Sequence, residues 1–92
     1  MKLAIEFLGL SRRLTQTKEI LVDMHDQASF RDLLRYLASQ YPTLVGQVIV
    51  PETFGLVSSY LINIDGQRAV TDLDARLEDG QRLIFMFAEA GG

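Results

Sequence analysis

Hydrophobic and polar residues alternate along residues 2–9 with the two-residue period of a β-strand. The more apolar side of this segment carries Leu3, Ile5 and Phe7. The same alternation returns at Ile20, Val22 and Met24. Because successive strand residues point to opposite faces, both segments are predicted to be strands. The polar residues 11–18 between them are most simply interpreted as the connection of a hairpin.

From Ser29 onward the period changes to that of an amphipathic helix. Apolar residues recur at helical spacing at Phe30, Leu33, Leu34, Leu37, Ala38 and Tyr41. Ser29 and Asp32 form a candidate capping pair that would satisfy free amide groups of the first turn. Pro42 is expected to end the helix, because its ring disfavours a helical conformation at the preceding residue. Residues 44–57 show no period that assigns them to a helix or a strand.

The second half of the chain contains the clearest hairpin signal. Apolar residues alternate from Tyr60 to Ile64 and lead into Asp65-Gly66. These two residue types tolerate the positive φ of a tight hairpin turn, so residues 67–70 are expected to return as a second strand. Residues 73–77 favour a short turn of helix, and residues 78–80 favour a tight turn.

The last predicted strand, residues 82–88, is apolar on both of its faces. Leu83, Phe85 and Phe87 share one face, and Ile84 and Met86 share the other. A strand of this kind is expected at the centre of a sheet or beneath a partner.

The order of the predicted elements indicates the fold class. Two strands, one main helix and further strands predict an α+β fold with a mixed sheet, forming one domain over residues 1–92. If the helix crosses the sheet in the right-handed sense, the final strand lies beside the first, which is the ubiquitin-like β-grasp order. A ferredoxin-like fold would need a second long amphipathic helix, and the sequence offers none.

Composition narrows the classes of function. The 92 residues include 9 Lys or Arg and 12 Asp or Glu, giving a net charge of −3, which does not favour nucleic acid or anionic membranes as direct partners. The absence of cysteine excludes thiol catalysis and thiolate metal sites, and a single histidine, His25, argues against a serine–histidine relay. The early apolar segment is too short for a signal peptide, and no apolar run approaches the ~18 residues of a membrane span. We therefore expect a cytoplasmic protein without membrane association.

Gly91-Gly92 follows closely on the last predicted strand. Glycine has no side chain that could pack against the domain, and a chain terminus of this kind is commonly frayed. A Gly-Gly end can also enter a narrow channel and place its carboxylate in the site of another protein, and residues 87–92 could reach at most ~20 Å. Together with the β-grasp order, the glycines favour this second interpretation.

Five parts of the chain carry a resemblance to known proteins. They are residues 2–9 with Ser11-Arg12-Arg13-Leu14, residues 28–34, Ile62-Asn63-Ile64, residues 77–85 and Gly91-Gly92. Together they resemble the MoaD/ThiS family of ubiquitin-like sulfur carriers, and most of all its MoaD branch, the small subunits of molybdopterin synthases. The chain departs from the family pattern at Phe87-Ala88-Glu89-Ala90, where many members have prolines. Its segment between the helix and the third strand is also longer than in the short carriers of the thiamine pathway.

The resemblance implies carrier chemistry rather than catalysis by this chain. The Gly92 carboxylate would be adenylated by an adenylyltransferase resembling the ubiquitin-activating enzyme, with ATP and magnesium bound to that partner and no cofactor on the carrier. A sulfur donor would then convert the adenylate to a thiocarboxylate, and the large subunit of molybdopterin synthase would be the acceptor. The alternatives are a protein modifier, a sulfur carrier for tRNA thiolation or thiamine synthesis, and a β-grasp interaction module with an inert tail.

The body of the domain is expected to provide recognition. If the strands face the helix as their patterns indicate, the open sheet face carries the apolar residues Leu8, Leu21, Ile84 and Met86. We predict partner contacts at Leu8, Ile84, Met86 and Phe87, and passage of Glu89, Ala90 and Gly91 through a partner's channel. The alternative is that residues 44–57 or self-association cover part of this surface.

The remaining candidates have simpler explanations. His25 is expected to be a solvated turn residue, and Arg12 and Arg13 to be solvated loop charges. Four acidic residues lack the spacing of metal ligands and are expected to be surface charges: Asp72, Asp74, Glu78 and Asp79.

Overall fold

A computed structural model describes residues 1–87 of the chain. The strands are β1 (Lys2–Phe7), β2 (Glu19–Asp23), β3 (Tyr60–Ile64), β4 (Arg68–Ala69) and β5 (Arg82–Phe87). The helices are α1 (Leu10–Thr15) and α2 (Phe30–Gln40), followed by a short 3-10 helix, Pro42–Leu44. The predictions for residues 88–92 lie outside the described residues.

The five strands form one mixed sheet in the order β2-β1-β5-β3-β4. β5 lies at the centre, parallel to β1 and antiparallel to β3. The other neighbouring pairs, β1 with β2 and β3 with β4, are antiparallel. The prediction that the last strand lies beside the first is therefore confirmed, as is the β-grasp arrangement.

α2 begins and ends where its sequence predicts. The Ser29 hydroxyl accepts a hydrogen bond from the Asp32 amide at 3.0 Å, and the Ser29 amide donates to the Asp32 carboxylate at 2.9 Å. The bond from the Ser29 amide to the carboxylate is the main cause that holds the pKa of Asp32 below its ordinary value, despite partial desolvation. The helix ends at Gln40, two residues before Pro42. The predicted capping pair is thus a complete capping box.

The hydrophobic core lies between α2 and one face of the sheet. Its fully buried side chains include Leu3, Ile5, Phe7, Leu33, Leu34, Leu37, Ile62, Leu83 and Phe85. The strands contribute every second residue, which is the period of a β-strand. α2 contributes residues three and four positions apart, which lie on one side of a helix. Among residues 1–87, no helix covers the opposite face of the sheet.

Residues 44–57 also lie on the helix side of the sheet. Leu44, Val48 and Ile49 are fully buried in the core. The Arg31 guanidinium donates to the Thr53 carbonyl at 2.8 Å, which ties this segment to α2. The segment therefore fills the helix side, and the alternative in which it covers the open sheet face is wrong.

Two local predictions are wrong. Residues 11–18 are not a simple connection, because residues 10–15 form α1, in which the Thr15 hydroxyl donates to the Ser11 carbonyl at 2.8 Å. Residues 73–77 do not form a helical turn. Instead the Leu73 and Ala75 carbonyls accept hydrogen bonds from Arg31 (2.8 Å) and Phe30 (3.1 Å), which satisfies amides at the start of α2.

Replacing Leu34 by Ala should lower the free energy of unfolding by about 2–5 kcal/mol, because the fully buried side chain leaves a cavity in the core. Tyr36→Ala on the exposed side of the same helix is the control and should change it by about 0.5 kcal/mol. Urea unfolding of both variants measures the difference. Equal effects would contradict the helix register.

Candidate functional site

The open face of the sheet carries an apolar patch where β5 ends. The patch consists of Leu8, Leu61, Ile84 and Met86, all half-buried and all outside the core cluster. The strand register brings them together. Leu61 is paired with Met86 across β3 and β5, and the Leu8 amide donates to the Phe85 carbonyl at 3.0 Å. Leu61 was missed by sequence reasoning, because only the strand register shows which β3 residue lies beside Met86.

A charged group borders the apolar patch on the same face. Arg82 of β5 contacts Glu6 of β1 and Glu19 of β2, each with a shortest nitrogen–oxygen distance of 2.8 Å. The hydrogen bond from Arg82 is the main cause that lowers the pKa of Glu19, and the two carboxylates raise the pKa of Arg82. Two acids and one base leave this charged group with a net negative charge at neutral pH.

Leu21 does not belong to the apolar patch, contrary to the sequence prediction of the open face. Its partner across β1 is Ala4, and the partner of Ala4 on β5 is Arg82. The charged group thus lies between Leu21, whose side chain is 82% exposed, and the patch. A parallel pairing between the two ends of the chain creates this separation, which a local pattern does not contain.

Phe87 lies on the other face of β5 from Met86. Its ring centroid is 4.6 Å from that of Tyr60, and the residue remains 47% exposed. Apolar side chains therefore flank both faces of β5 at the point where the described chain ends. The predicted partner residues Leu8, Ile84 and Met86 lie together, and Phe87 lies apart from them on the helix side.

His25, Arg12 and Arg13 are exposed, as expected of solvated side chains. The Nδ1 atom of His25 is 2.9 Å from the Asp26 carbonyl oxygen. Arg12 and Arg13 belong to the last turn of α1 rather than to a loop.

Three of the four acidic residues singled out in the second half, Asp72, Asp74 and Asp79, accept hydrogen bonds within the domain. Asp74 accepts from Arg31 at 2.7 Å, and this hydrogen bond lowers the pKa of Asp74 and raises that of Arg31. Asp79 accepts from the Lys2 amide at 2.7 Å, and the Asp72 carboxylate accepts from the Asp74 amide at 2.9 Å. Within residues 1–87 no group of three acidic or histidine side chains is placed to hold a metal ion.

Among the helices of residues 1–87, none has the length and apolar character needed to cross a bilayer.

Comparison with solved structures identifies the fold. SAMP1 from Haloferax volcanii superposes with a TM-score of 0.82 at 18% identity, over 100% of both chains. A second match is one chain of a complex of subunits 1 and 2 of the molybdopterin-converting factor from Helicobacter pylori. It superposes with a TM-score of 0.62 at 14% identity, again over 100% of both chains. These superpositions show the ubiquitin-like β-grasp fold. The HVO 2177 protein of Haloferax volcanii shares the fold at 28% identity and a TM-score of 0.80, over 100% of this chain and 87% of that one.

No protein-family model and no curated protein matches the sequence. The MoaD/ThiS resemblance therefore rests on the three-dimensional fold and on the short motifs in the sequence.

Proposed function

We propose that this chain is a sulfur carrier of the MoaD/ThiS type whose Gly92 carboxylate is the reactive group. The observation that carries the proposal is the position of β5. This central strand ends at Phe87, beside the apolar patch, and five further residues follow it to Gly92. A partner that docks on the patch is thus within ~18 Å of the chain end, given 3.3–3.6 Å for each extended residue.

The chemistry needs no catalytic side chain on the carrier. The Gly92 carboxylate attacks the α-phosphorus of ATP on an activating adenylyltransferase, and pyrophosphate leaves. A hydrosulfide-equivalent donor then attacks the carbonyl carbon of the acyl adenylate, AMP leaves, and a thiocarboxylate remains. Adenylation is required because a free carboxylate is a poor electrophile. The proposal places these partners in the cytoplasm, where ATP is available.

The proposed acceptor is the large subunit of a molybdopterin synthase, which would receive sulfur for a precursor pterin. The Helicobacter pylori structure supports this choice, since its two components are subunits 1 and 2 of a molybdopterin-converting factor and this fold matches one of its chains. Likeness to SAMP1, a small archaeal modifier protein, supports a second acceptor, the amine of a protein lysine. Both reactions begin with the same activated Gly92.

Intact-mass measurement tests the carrier chemistry directly. The chain is incubated with a cognate activating enzyme, ATP, magnesium and sulfide, and then with a thiol-alkylating reagent. Because the chain contains no cysteine, alkylation mapped to the C-terminal peptide would establish the thiocarboxylate. Omission of ATP is the control. The absence of an adduct, with an enzyme competent on another carrier, would contradict the proposal and favour the inert interaction module.

The acceptors are separated by their products. The thiocarboxylated chain is mixed with the large subunit and precursor pterin. In a separate reaction the chain is incubated with the activating enzyme, ATP, magnesium and lysine-containing proteins, so that a lysine amine can attack the acyl adenylate and release AMP. Sulfur transfer to the pterin supports the synthase role, whereas an isopeptide bond at Gly92 supports the modifier role.

Replacing Met86 by Lys should weaken binding to the activating enzyme by about 2 kcal/mol, because a charge would have to be desolvated at the centre of the docking surface. Leu21→Lys is the matched control, since Leu21 is on the same face but beyond the charged group. Calorimetric titration compares the two affinities, and thermal melts check folding. Unchanged affinity for Met86→Lys would remove the apolar patch from the docking surface.

A further inference from the structure

Tyr60, the first residue of β3, holds the turn that follows β1. Its phenol oxygen accepts a hydrogen bond from the Ser11 amide at 2.8 Å and donates one to the Leu8 carbonyl at 3.1 Å. The Ser11 hydroxyl also donates to the Leu8 carbonyl, at 2.9 Å. The residues on both sides of Gly9 are therefore tied to the start of β3, although they lie about fifty positions away in the sequence.

Gly9 gives this turn a shape that other residues rarely adopt. Its backbone has φ of 60° and ψ of −129°, which is open to glycine because glycine has no Cβ. A Cβ atom built at this position would lie 3.7 Å from the ring of Phe87. The Phe87 ring thus lies over the turn at Gly9 and against the Tyr60 ring, with centroids 4.6 Å apart. We call this arrangement of Tyr60 and Gly9 the Phe87 seat.

Phe87 itself is not needed to complete the core. Phe85, two residues earlier on the same face, is fully buried, whereas Phe87 remains 47% exposed. Tyr60 is itself buried at 6% exposure. The seat therefore holds the main chain at the last described residue, immediately before the segment that continues to Gly92.

We propose that Tyr60 and Phe87 are positioning residues that set the direction in which the chain leaves the sheet. This inference rests on the proposed carrier function. A fixed direction at residue 87 restricts the directions in which the chain can continue toward Gly92, so less orientational freedom has to be lost when the carboxylate enters the partner's site. Without the seat, the backbone direction at residue 87 would vary, and the carboxylate would reach the partner's site less often.

The kinetic test compares adenylation of Phe87→Ala and Met86→Lys by a cognate activating enzyme. Phe87→Ala should lower kcat about tenfold with KM nearly unchanged, because the apolar patch still docks while the carboxylate is misplaced. Met86→Lys should raise KM instead. Tyr36→Ala is the matched control, an aromatic residue of similar exposure, 38%, on α2. Equal kcat values for Phe87→Ala and the unaltered chain would overturn the proposal.

Tyr60→Phe distinguishes positioning from direct contact between Phe87 and the partner. Tyr60 is buried, and this change removes only its hydroxyl, so both hydrogen bonds to the turn are lost while the ring stays. We expect kcat to fall about threefold to tenfold with unchanged KM. The single variant Phe87→Tyr keeps an aromatic ring at position 87, and its kcat should equal that of the unaltered chain, in contrast to Phe87→Ala. A normal kcat in Tyr60→Phe together with a low one in Phe87→Ala would assign Phe87 to partner contact and overturn the positioning role.

An NMR measurement separates this proposal from the carrier function. The unaltered protein should show nuclear Overhauser contacts between the Phe87 and Tyr60 rings. The heteronuclear NOE of the residue-87 amide should fall in Tyr60→Phe, while those of β1 amides stay unchanged. If no adenylylation occurs but these signals appear, the carrier function fails and the seat stands. If the ring contacts are absent, the seat fails whatever the adenylation assay shows.

Discussion

Deletion of Gly92 is expected to abolish adenylation and thiocarboxylate formation without a measurable change in melting temperature. Removal of one residue withdraws the carboxylate by ~3.3–3.6 Å from the position at which it must meet the α-phosphorus of ATP. A terminal glycine contributes no side-chain packing, so the fold should be indifferent to its loss. The intact-mass assay and a thermal melt measure the two effects on the same sample.

Two outcomes would contradict the Gly92 prediction. Undiminished adduct formation would show that activation depends neither on Gly92 nor on the exact reach of the C-terminal carboxylate. A large fall in melting temperature would show that the terminal residue contributes to the fold, so that lost activity could not be assigned to chemistry. Addition of one glycine after Gly92 is a matched control, because it preserves the residue and displaces only the carboxylate. It should also abolish the adduct.

Replacing Phe85 by Ala is expected to lower the free energy of unfolding by about 3–5 kcal/mol. Phe85 is fully buried on the central strand, and its ring centroid is 5.7 Å from the ring centroid of Phe7 on β1. Since small domains are stable by only about 5–15 kcal/mol, this variant should lose a large share of its stability. The midpoint of urea unfolding, measured by circular dichroism, gives the change.

Phe87→Ala is the matched control for Phe85→Ala. The two residues have the same side chain and lie on the same face of the same strand, but Phe87 is 47% exposed. We expect a loss of only about 1 kcal/mol for Phe87→Ala. This small loss also makes the variant suitable for the adenylation kinetics. A loss as large as that of Phe85→Ala would mean that the Phe87 seat belongs to the core.

The regular elements could be predicted where one period runs through a whole segment. The alternation at Leu3, Ile5 and Phe7 is long enough to define β1, and the capping box at Ser29 marks the start of α2. α1 was missed because it has six residues and its helical signal is only the spacing of Leu10 and Leu14. So short a helix is formed by its packing and by the bonds of Ser11 and Thr15, not by propensity.

The candidate site could be predicted only in part, because local alternation shows the face of a residue but not its neighbours on other strands. Ile84 and Met86 could be placed on one face by their alternation with Leu83 and Phe85. The inclusion of Leu61 required the register between β3 and β5, which no local pattern contains. The roles assigned to residues 89–92 stay predictions.

By itself, the sequence determined which residues of β1, α2 and β5 face the core and where the main helix begins, because these follow from local periods and caps. It also indicated that β5 is central or covered, because that strand is apolar on both faces. Only the tertiary structure decided which surface residues become neighbours. Arg82 meets Glu6 and Glu19 because β5 pairs in parallel with β1, and Tyr60 meets Phe87 because β3 runs antiparallel to β5. Such contacts depend on strand order and register, which arise when the whole chain packs.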